Sequence, residues 1–371
     1  MTKITFFDAF EEDKRISINY ITEQSISKCI KHHSSIGQFV TFRPKYRMHL
    51  IPNRLNLADR AARFIDYPLQ AWCQPTDIAH VMEDGYAHLA PFLNARKKVL
   101  TFTDLIPLLG YEGEVPGLSY PHNPLLYKFC LKFLTSYDQI ITWSQSTKKE
   151  LVDRFSVEEE KITINPLCVD DTLFDASKVS RSSARKKLGL PEESVIILLS
   201  GKEQYKNLET SIKAFCRIRE LHPHLDVKLI RLGGNVPFFD DLIIKYRLDP
   251  PPRSFSGLSR EEVGLLYRAS NILFFPSFYE GFGMPPLEAM AAGIPVIVSN
   301  RASLPEVVGK EGLTIDAQDE VALSELAIKL ITDDSFCRSV TNYGLERSSH
   351  FTWRHYASNL SQVYEKILTN I

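Results

Sequence analysis

The chain has 371 residues, too many for one ordinary hydrophobic core, and this length predicts two domains of similar size. Its composition, 44% hydrophobic and 24% charged, is that of a soluble globular protein. The formal net charge of -1 argues against a dedicated nucleic-acid binder, because such proteins are normally basic overall.

Cysteine usage and the distribution of apolar residues indicate an intracellular protein. The six cysteines are scattered and form no C-x-x-C pair, so neither a structural zinc site nor a disulfide framework is predicted. The N-terminal stretch MTKITFFDAFEEDKR becomes acidic too early for a signal peptide. No apolar run approaches the roughly 20 residues of a membrane span. We therefore expect a cytoplasmic protein that is at most peripheral to the inner face of a membrane.

Short apolar runs rich in β-branched and aromatic residues alternate along the chain with segments of helical period. The runs are KITFFDA, QFVTFR, IAHVM, KKVLTFTD, QIITWS and KITINPL in the first half, and VIILLSG, VKLIRLGG, ILFFPS, IPVIVSN and GLTID in the second. Strands that alternate with helices indicate βαβ units and parallel sheets covered on both faces. The predicted fold class is α/β, with two doubly wound, Rossmann-like domains facing across a cleft. Ligands of such sheets bind at the carboxyl ends of the strands.

A basic segment precedes the third predicted strand. Residues 41–64, TFRPKYRMHLIPNRLNLADRAARF, carry six Arg or Lys against one acid, Asp59, with aromatic and apolar residues between them. This pattern suits contact with an anionic membrane surface or with a lipid pyrophosphate. It suits a solvated face equally well, and the sequence leaves both interpretations open.

The predicted domain boundary lies in the polar, serine-rich stretch 170–194. Within it, Leu188-Gly189-Leu190-Pro191 is typical of a helix end followed by a stop. We place the first domain at 1–175 and the second at 176–352. The segment FTWRHYASNLSQVYEKIL has apolar residues at helical spacing, so 353–371 is expected to form a helix that packs back on the first domain.

Two lysines follow the first predicted strand of the second domain. In SGKEQYKNLETSIKAF, Lys202 and Lys206 lie between the strand VIILLS and a helix predicted to begin near Asn207. Two ammonium groups four residues apart can neutralise a diphosphate, although loop lysines are commonly just solvated. The chain has no P-loop, no G-x-G-x-x-G and no D-x-D motif, the last of which binds a diphosphate through a metal ion. We therefore expect the lysines, in place of a metal ion, to neutralise the diphosphate.

The segment 276–300, PSFYEGFGMPPLEAMAAGIPVIVSN, combines two glutamates with three glycines and four prolines. It predicts the end of a buried strand, a loop, and a helix whose first turn holds Pro285 and Pro286. Gly293 is predicted to cap this helix at its C-terminus.

In this arrangement Gly281 and Gly283 lie just before the helix N-terminus, where free N–H groups and the helix dipole favour a phosphate. Glu288, expected in the first turn, is placed to accept hydroxyl donors such as those of a ribose. Glu280, at the strand end, is placed to face the group beyond the phosphates. The alternative interpretation is that Glu288 only complements the helix dipole.

Together these residues resemble the retaining glycosyltransferases of family 4, which have the two-domain GT-B fold. The resemblance covers about half of the chain, from Ile196 to Trp353. The matching motifs are GKEQYKN, the Gly233-Gly234 pair, FSGLSREEVGLLYRASNILFFPS, the E-x7-E from Glu280 to Glu288, SNRASLPEVVG and a C-terminal FTW.

The resemblance implies an enzyme of polysaccharide biosynthesis. It implies that a hexosyl-type sugar moves, with retention, from a UDP- or GDP-linked donor to a hydroxyl of a glycan or lipid-linked glycan. No metal or other cofactor is implied. The first domain would bind the acceptor and the second the donor.

The resemblance also implies roles for individual residues. Glu288 would hold the donor ribose, Lys206 with Lys202 the diphosphate, and Glu280 the donor sugar. The implied catalytic residues are Glu280, Lys206 and Asp104. The implied donor-binding residues are Lys202, Lys206, Gly257, Leu258, Glu280, Gly281, Phe282, Gly283, Leu287 and Glu288.

The chain departs from the family pattern at three places. Lys202 stands where arginine is usual, which keeps the charge and loses the bidentate fork. In LTFTDLIPLL, Thr103 stands where the family commonly has a histidine that contacts the donor sugar, while Asp104 remains. His80 and His122 are candidates to replace that contact, although a lone histidine is more often structural. EEDKRISINYITEQ, after the first strand, has no glycine, which puts phosphate contact from that loop in doubt.

Two other interpretations stay open at this point. One is a different GT-B activity, such as a phosphorylase or a nucleotide-sugar epimerase, although a phosphorylase needs a pyridoxal-phosphate lysine and a longer chain. The other is a catalytically impaired nucleotide-sugar binder that acts as a partner subunit. Thr103 and the missing glycines favour that interpretation, and the intact Glu280, Glu288 and Lys206 oppose it.

Overall fold

The computed structural model describes residues 2–13, 16–33, 35–48, 57–118, 124–170, 174, 178–310 and 312–369. The chain divides into two compact units. The first comprises Met1–Leu108, Pro121–Pro166 and Trp353–Ile371, and the second comprises Leu109–Tyr120 and Leu167–Thr352. Each unit is built around a six-stranded sheet in which every pairing is parallel. The predicted α/β class with two doubly wound sheets is confirmed.

The elements alternate along the chain as the apolar runs predict. The strands are β1 (Thr2–Phe7), β2 (Gly37–Phe42), β3 (Thr76–Val81), β4 (Ala95–Phe102), β5 (Gln139–Thr142), β6 (Ile162–Ile164), β7 (Val195–Ser200), β8 (Val227–Leu232), β9 (Arg253–Phe255), β10 (Ile272–Phe275), β11 (Val296–Ser299) and β12 (Leu313–Ile315). The α-helices are α1 (Ile16–His33), α2 (Leu57–Ala61), α3 (Tyr67–Trp72), α4 (Ile106–Glu112), α5 (Pro124–Leu131), α6 (Gln145–Phe155), α7 (Arg181–Leu188), α8 (Leu208–Leu221), α9 (Pro237–Lys245), α10 (Arg260–Ala269), α11 (Met284–Ala291), α12 (Leu304–Val308), α13 (Glu320–Thr332), α14 (Asp334–Ser349) and α15 (Trp353–Thr369). Short 3₁₀ segments lie at Glu11–Asp13, Asp84–Phe92, Leu134–Ser136, Glu159–Lys161 and Gln204–Lys206, and a π-helical turn at Ala62–Asp66.

In each sheet the winding of the chain reverses direction between two neighbouring strands. The first sheet has the order β2-β1-β3-β4-β5-β6, and the second has the order β12-β11-β10-β7-β8-β9. In the second sheet the chain winds outward from β7 to β9 and then resumes on the other side with β10. The point between β7 and β10 is therefore a topological switch point, which is where ligands bind in such sheets.

Eleven of the twelve strands coincide with predicted apolar runs, and β9 was missed. It has only three residues, pairs with β8 at the edge of its sheet, and exposes Arg253. An edge strand this short buries too little to leave an apolar run in the sequence. The predicted helix end at Leu188 is confirmed, with Gly189 at φ 61° as its left-handed cap.

The terminal helix α15 packs against α1 of the first unit. Its buried face contains the residues that the helical spacing selected: Tyr356, Leu360, Val363, Tyr364 and Ile367. In the second unit, α8 and α13 cover one face of the sheet. Leu208, Ile212 and Phe215 of α8 join the apolar core there, as predicted.

The basic segment 41–64 uses part of its charge inside the first unit. Arg43 donates to the fully buried carboxylate of Asp8 at 2.6 Å. Arg63 donates to the Gly85 carbonyl at 2.8 Å and lies over a tyrosine ring. Residues 49–56 of this segment lie outside the described residues, so its predicted membrane contact stays a prediction.

Two findings bear on compartment and redox chemistry. No helix within the described ranges is long and apolar enough to cross a membrane. The six cysteines, all within those ranges, are free thiols, and burial raises the pKa of Cys29 to about 12.

Candidate active site

The two motifs that the sequence singled out lie at the switch point of the second sheet. The loop 201–207 leaves β7 and carries the two lysines, and the loop 276–283 leaves β10 and carries Glu280. Because β7 and β10 are paired neighbours, these loops emerge side by side at the carboxyl edge.

Asn207 ties the two loops together. It has the left-handed backbone conformation, with φ 54°, and its side chain caps α8 by accepting from the Thr210 N–H. The side-chain amide donates to the carbonyls of Pro276 at 3.0 Å and Ala317 at 2.5 Å. The lysine loop is therefore fixed against the glutamate loop by buried hydrogen bonds.

Serine hydroxyls hold the backbone of the glutamate loop. Ser303 Oγ lies 2.8 Å from the Glu280 carbonyl oxygen and 2.6 Å from that of Phe282. Gly283 has φ 117°, and a Cβ there would lie 2.9 Å from Leu304 Cδ2. Only glycine fits this turn, which sets the direction in which α11 begins.

Lys206 and Glu280 form an ion pair. Lys206 Nζ lies 2.6 Å from Glu280 Oε1, and the two side chains are only 13% and 9% exposed. The ammonium also lies over the rings of Tyr205 at 5.0 Å and Phe275 at 5.2 Å. Lys202, four residues earlier, is exposed. The structure thus brings together Lys206, which was predicted to bind the donor diphosphate, and Glu280, which was predicted to bind the adjoining sugar.

Glu288 lies in the second turn of its helix, so the predicted first-turn placement was wrong. Gly283 is the N-cap and α11 begins at Met284, which makes Glu288 the fifth helical residue. The Leu287 N–H bonds to the Gly283 carbonyl, so the first helical turn closes before Glu288. An acid in the second turn has little interaction with the helix dipole, which falls off within the first turn. Complementing the dipole therefore does not explain this residue.

The Glu288 carboxyl is surrounded by protein although part of the residue remains accessible. Tyr267 donates its hydroxyl to Glu288 Oε2 at 3.1 Å and is also hydrogen-bonded to Ser200 at the end of β7. Burial raises the pKa of Glu288 to about 7, and Arg260 and the Tyr267 bond offset only part of that rise. A carboxylate held at such cost, with a fixed orientation, is a candidate functional group.

The remaining predicted donor-binding residues surround these two loops. Gly257 has φ 67°, and a Cβ on it would meet open space, which leaves room for a ligand. Leu258 is half-buried, and Gly281 and Phe282 are buried. Leu287 is fully buried.

Asp104 belongs to the first unit and lies in the loop after β4. Its Oδ1 accepts from the Ile106 N–H at 2.9 Å, at the start of α4. The preceding Thr103, in place of the expected histidine, directs its N–H and hydroxyl to Asp84 Oδ1 at 3.1 and 2.7 Å. Tyr127 donates to the other oxygen of Asp84 at 2.6 Å.

His80 is a core residue. Its Nδ1 lies 2.7 Å from the Tyr364 hydroxyl and its Nε2 2.8 Å from Thr101 Oγ1. The ring is fully buried, and burial lowers its pKa to about 3. The other histidine considered, His122, lies outside the described residues.

Sequence reasoning missed two residues at this edge, Tyr267 and Arg231. Tyr267 falls on the buried face of an amphipathic helix, where an aromatic residue attracts no notice. Arg231 interrupts the apolar strand VKLIRLGG, and a lone cation inside a buried strand is a signal that could have found it. Among the described residues, no group of three or more His, Cys, Asp or Glu is arranged to hold a metal ion.

Residues 180–364 match the family model for glycosyl transferases group 1. The chain belongs to the group 1 glycosyl transferases. The match contains the loops after β7 and β10 and helix α11.

Curated relatives of this glycosyltransferase include serotype-specific mannosyltransferase WbdA of Escherichia coli. The two are 29% identical over 280 residues, which is 70% of this chain and 32% of WbdA. D-inositol 3-phosphate glycosyltransferase of Stackebrandtia nassauensis is 28% identical over 239 residues, which is 61% of this chain and 54% of that protein. The alignments thus span only a third to about half of these relatives.

Solved structures with the same fold cover the whole chain. Sucrose-phosphate synthase from Thermosynechococcus elongatus superposes with a TM-score of 0.79 at 19% identity, with full coverage of both chains. HepE from Anabaena, in complex with UDP and glucose, superposes with a TM-score of 0.71 at 14% identity, again with full coverage. At such identities the similarity shows the fold, which is GT-B as expected.

Proposed function

We propose that this glycosyltransferase moves a hexosyl residue from a nucleotide-diphosphate sugar to a hydroxyl of a glycan or lipid-linked glycan. Transfer proceeds with retention at the anomeric carbon and needs no metal ion or other cofactor. The observation that carries the proposal is the buried Lys206–Glu280 pair at the switch point of the second sheet. There, a cation and a hydroxyl-accepting carboxylate are offered to one ligand.

The chemistry follows from where charge develops. When the sugar–phosphate bond breaks, negative charge grows on the departing diphosphate, and a preorganised ammonium stabilises it. Lys206 is held in place by Glu280 and by two aromatic rings, so no reorganisation is needed at that moment. Lys202, on the same loop, adds a second cation. Asp104, in the first unit, is the remaining residue proposed to take part in catalysis.

The two glutamates are proposed to bind the two sugar groups at either end of the donor diphosphate. Glu288 is proposed to accept hydrogen bonds from the ribose hydroxyls, and Glu280 from hydroxyls of the transferred sugar. WbdA is named a mannosyltransferase and HepE is described with UDP and glucose, which supports a hexose and a nucleotide donor. Mannose and glucose donors are therefore the first to test.

The donor is identified by calorimetry of UDP, GDP and their mannose and glucose conjugates, with EDTA present. We expect one nucleotide series to bind the wild type and to raise the free energy of unfolding by about 2.7 kcal/mol at 100 times its Kd. The anomeric configuration of the product, read by NMR, should equal that of the donor. Loss of binding in EDTA, an inverted product, or no nucleotide binding at millimolar concentration would each contradict the corresponding part of the proposal.

Peripheral membrane contact is proposed for the basic segment and the helices that follow it. Arg47 is 61% exposed there, and Ile65, Leu69 and Trp72 are 59, 63 and 60% exposed at helical spacing. Exposed cations beside an apolar stripe suit an anionic bilayer surface.

The protein is therefore expected to float with phosphatidylglycerol vesicles, and not with phosphatidylcholine vesicles. Arg47→Glu should weaken vesicle binding about tenfold, because each basic residue contributes about 1 kcal/mol near such a surface. Arg338→Glu, at an exposed position of the second unit, is the matched control. Equal binding to both lipids, or equal effects of the two variants, would rule this contact out.

A further inference from the structure

Arg231 is the largest fully buried side chain in the described part of the chain, with 1% exposure. It lies near the end of β8 and is almost entirely shielded from solvent. Its guanidinium donates from Nη1 to the Gly201 carbonyl at 3.0 Å, from Nη2 to the Gly234 carbonyl at 2.7 Å, and from Nε to Ser254 Oγ at 3.3 Å. The Phe239 ring lies 4.2 Å below it.

This cation has no ion-pair partner among the described residues. Its hydrogen-bond acceptors are two carbonyls and a hydroxyl, which carry partial charges only. Burial lowers the pKa of Arg231, and the exposed carboxylate of Asp240 offsets part of that effect. Burying a charge without a directly paired counter-charge is expensive, so the protein holds a positive potential at this edge of the sheet that Asp240 offsets only in part.

The contacts of Arg231 also set the direction of two N–H groups. A trans peptide is planar, so its C=O and the N–H of the next residue point in opposite directions. Because the Gly201 and Gly234 carbonyls point at Arg231, the N–H groups of Lys202 and Asn235 point away from it.

One of these N–H groups already binds an anionic oxygen. The Lys202 N–H donates to Glu203 Oε2 at 3.2 Å. The carboxylate of Glu203 occupies, on this N–H, the position that an oxygen of an external anion would take. This hydrogen bond does not involve Arg231, so it is independent evidence that the Lys202 N–H is directed at negative charge.

Two glycines in the loop after β8 leave space for the Arg231 side chain and for a ligand. A Cβ on Gly233 would lie 2.7 Å from Arg231 Nη1 and 2.6 Å from the Gly201 carbonyl oxygen, so glycine is required for the arginine to reach both loops. A Cβ on Gly234 would meet nothing within 4 Å. The guanidinium is therefore covered by the Phe239 ring and by Gly233, whereas the loop after β8 borders free space at Gly234.

We propose that Arg231 is a positioning residue for the donor diphosphate. It holds the loops after β7 and β8 so that the N–H groups of Lys202 and Asn235 face the anion, and its buried charge attracts the anion from behind. This inference deepens the proposed function and rests on it. Glu203 competes with the diphosphate for the Lys202 N–H until the donor binds.

The test compares variants of two buried arginines. Arg231→Met removes the charge and Arg231→Lys keeps it but loses the fork. Arg185→Met is the matched control, because Arg185 is 3% exposed and bonds Ala269 O at 2.9 Å and Asn271 Oδ1 at 2.6 Å, just before the amino end of β10. Calorimetry measures Kd for inorganic pyrophosphate, for UDP and GDP, and for uridine and guanosine.

Arg231→Met should weaken binding of pyrophosphate and of the preferred nucleoside diphosphate about 10- to 100-fold, the range for hydrogen bonds to charged groups. Binding of the matching nucleoside should stay within about twofold, and Arg231→Lys should be intermediate. Arg185→Met should lose comparable stability and keep the wild-type Kd for every ligand. Equal Kd values for Arg231→Met and Arg185→Met, or a uniform loss that includes the nucleoside, would overturn the inference.

Glu203→Gln tests the same idea without touching the core. Removing this carboxylate should tighten pyrophosphate binding about threefold, as expected for an exposed charge pair, and an unchanged or weaker affinity would contradict the role of the Lys202 N–H. If Arg231→Met does not fold, Arg231→Lys and Glu203→Gln decide the question. A wild type that binds pyrophosphate but no nucleoside diphosphate contradicts the proposed function alone. A wild type that binds neither overturns both.

Discussion

Lys206→Ala is expected to lower kcat/KM about 10²- to 10³-fold, because it removes a preorganised charge from the departing diphosphate. It should also lower the free energy of unfolding by about 3 kcal/mol, since Glu280 is left as a nearly buried carboxylate without its cation. Both effects come from one ammonium group, Lys206 Nζ, which also pairs with Glu280 Oε1 at 2.6 Å. Steady-state transfer assays and urea unfolding at pH 7 measure the two effects separately.

A double variant separates folding from function at this pair. In Lys206→Met with Glu280→Gln, no charge remains unpaired, so we expect stability to return to within about 1 kcal/mol of the wild type. Activity should stay at the level of Lys206→Ala or below it. Lys228→Ala is the control for a lysine lost from an ion pair, because Lys228 and Asp226 pair at 2.8 Å with both side chains well exposed. That control should cost less than about 1 kcal/mol. Recovery of activity in the double variant would show that Lys206 only neutralises Glu280.

The fold was largely accessible from the sequence because its cause is local. Each parallel strand that is buried on both faces leaves an apolar run, and eleven strands were found in this way. β9 escaped because its three residues carry an arginine and lie at a sheet edge, where there is little to bury. Helix ends at Leu188 and Asn207 were predictable because capping residues act within a few positions of the chain.

The candidate site was accessible only in part, because its geometry depends on contacts between distant segments. Residue types and spacing identified Lys206, Glu280 and Glu288 as functional candidates. They did not show that Lys206 and Glu280 neutralise one another, since 74 positions separate them in the chain. The partners of Arg231 could not be predicted from the sequence either, because two of its three hydrogen-bond acceptors lie far away in the chain. Ser254 belongs to β9, and Gly201 follows β7.

The position of Glu288 shows how a one-residue shift of a helix start changes the interpretation of a residue. Two prolines marked the helix start correctly to within one residue, but Gly283 is the N-cap and the helix begins at Met284. In the first turn, Glu288 has a sufficient structural explanation in the helix dipole. In the second turn the dipole no longer explains it, and the Tyr267 bond offsets only part of the cost of its burial, so a ligand contact becomes the better account.

Glu288→Gln is accordingly expected to make the protein more stable and less active. The pKa of Glu288 is about 7 in the folded protein against an ordinary value of 4.5, so between these pH values the folded state keeps a proton that the unfolded chain has lost. Wild-type stability therefore falls as pH rises from about 4.5 to about 7, and the full penalty is present above pH 7. Glutamine removes that penalty, and the variant should gain about 3 kcal/mol at most at pH 8 and almost nothing at pH 4. Urea unfolding of both proteins across this range measures the difference.

The same variant should bind the preferred nucleoside and its diphosphate about 10- to 100-fold more weakly, because a hydrogen bond to a charged group is lost. Pyrophosphate, which has no ribose, should bind as it does to the wild type. Glu325→Gln, at an exposed position in the second turn of α13, controls for the loss of a surface carboxylate and should change neither stability nor affinity appreciably. A stability gain that is constant with pH would exclude ionisation of Glu288 as its cause. Unchanged nucleoside binding would assign this carboxylate a purely structural role, for which a protein that is more stable without it offers no reason.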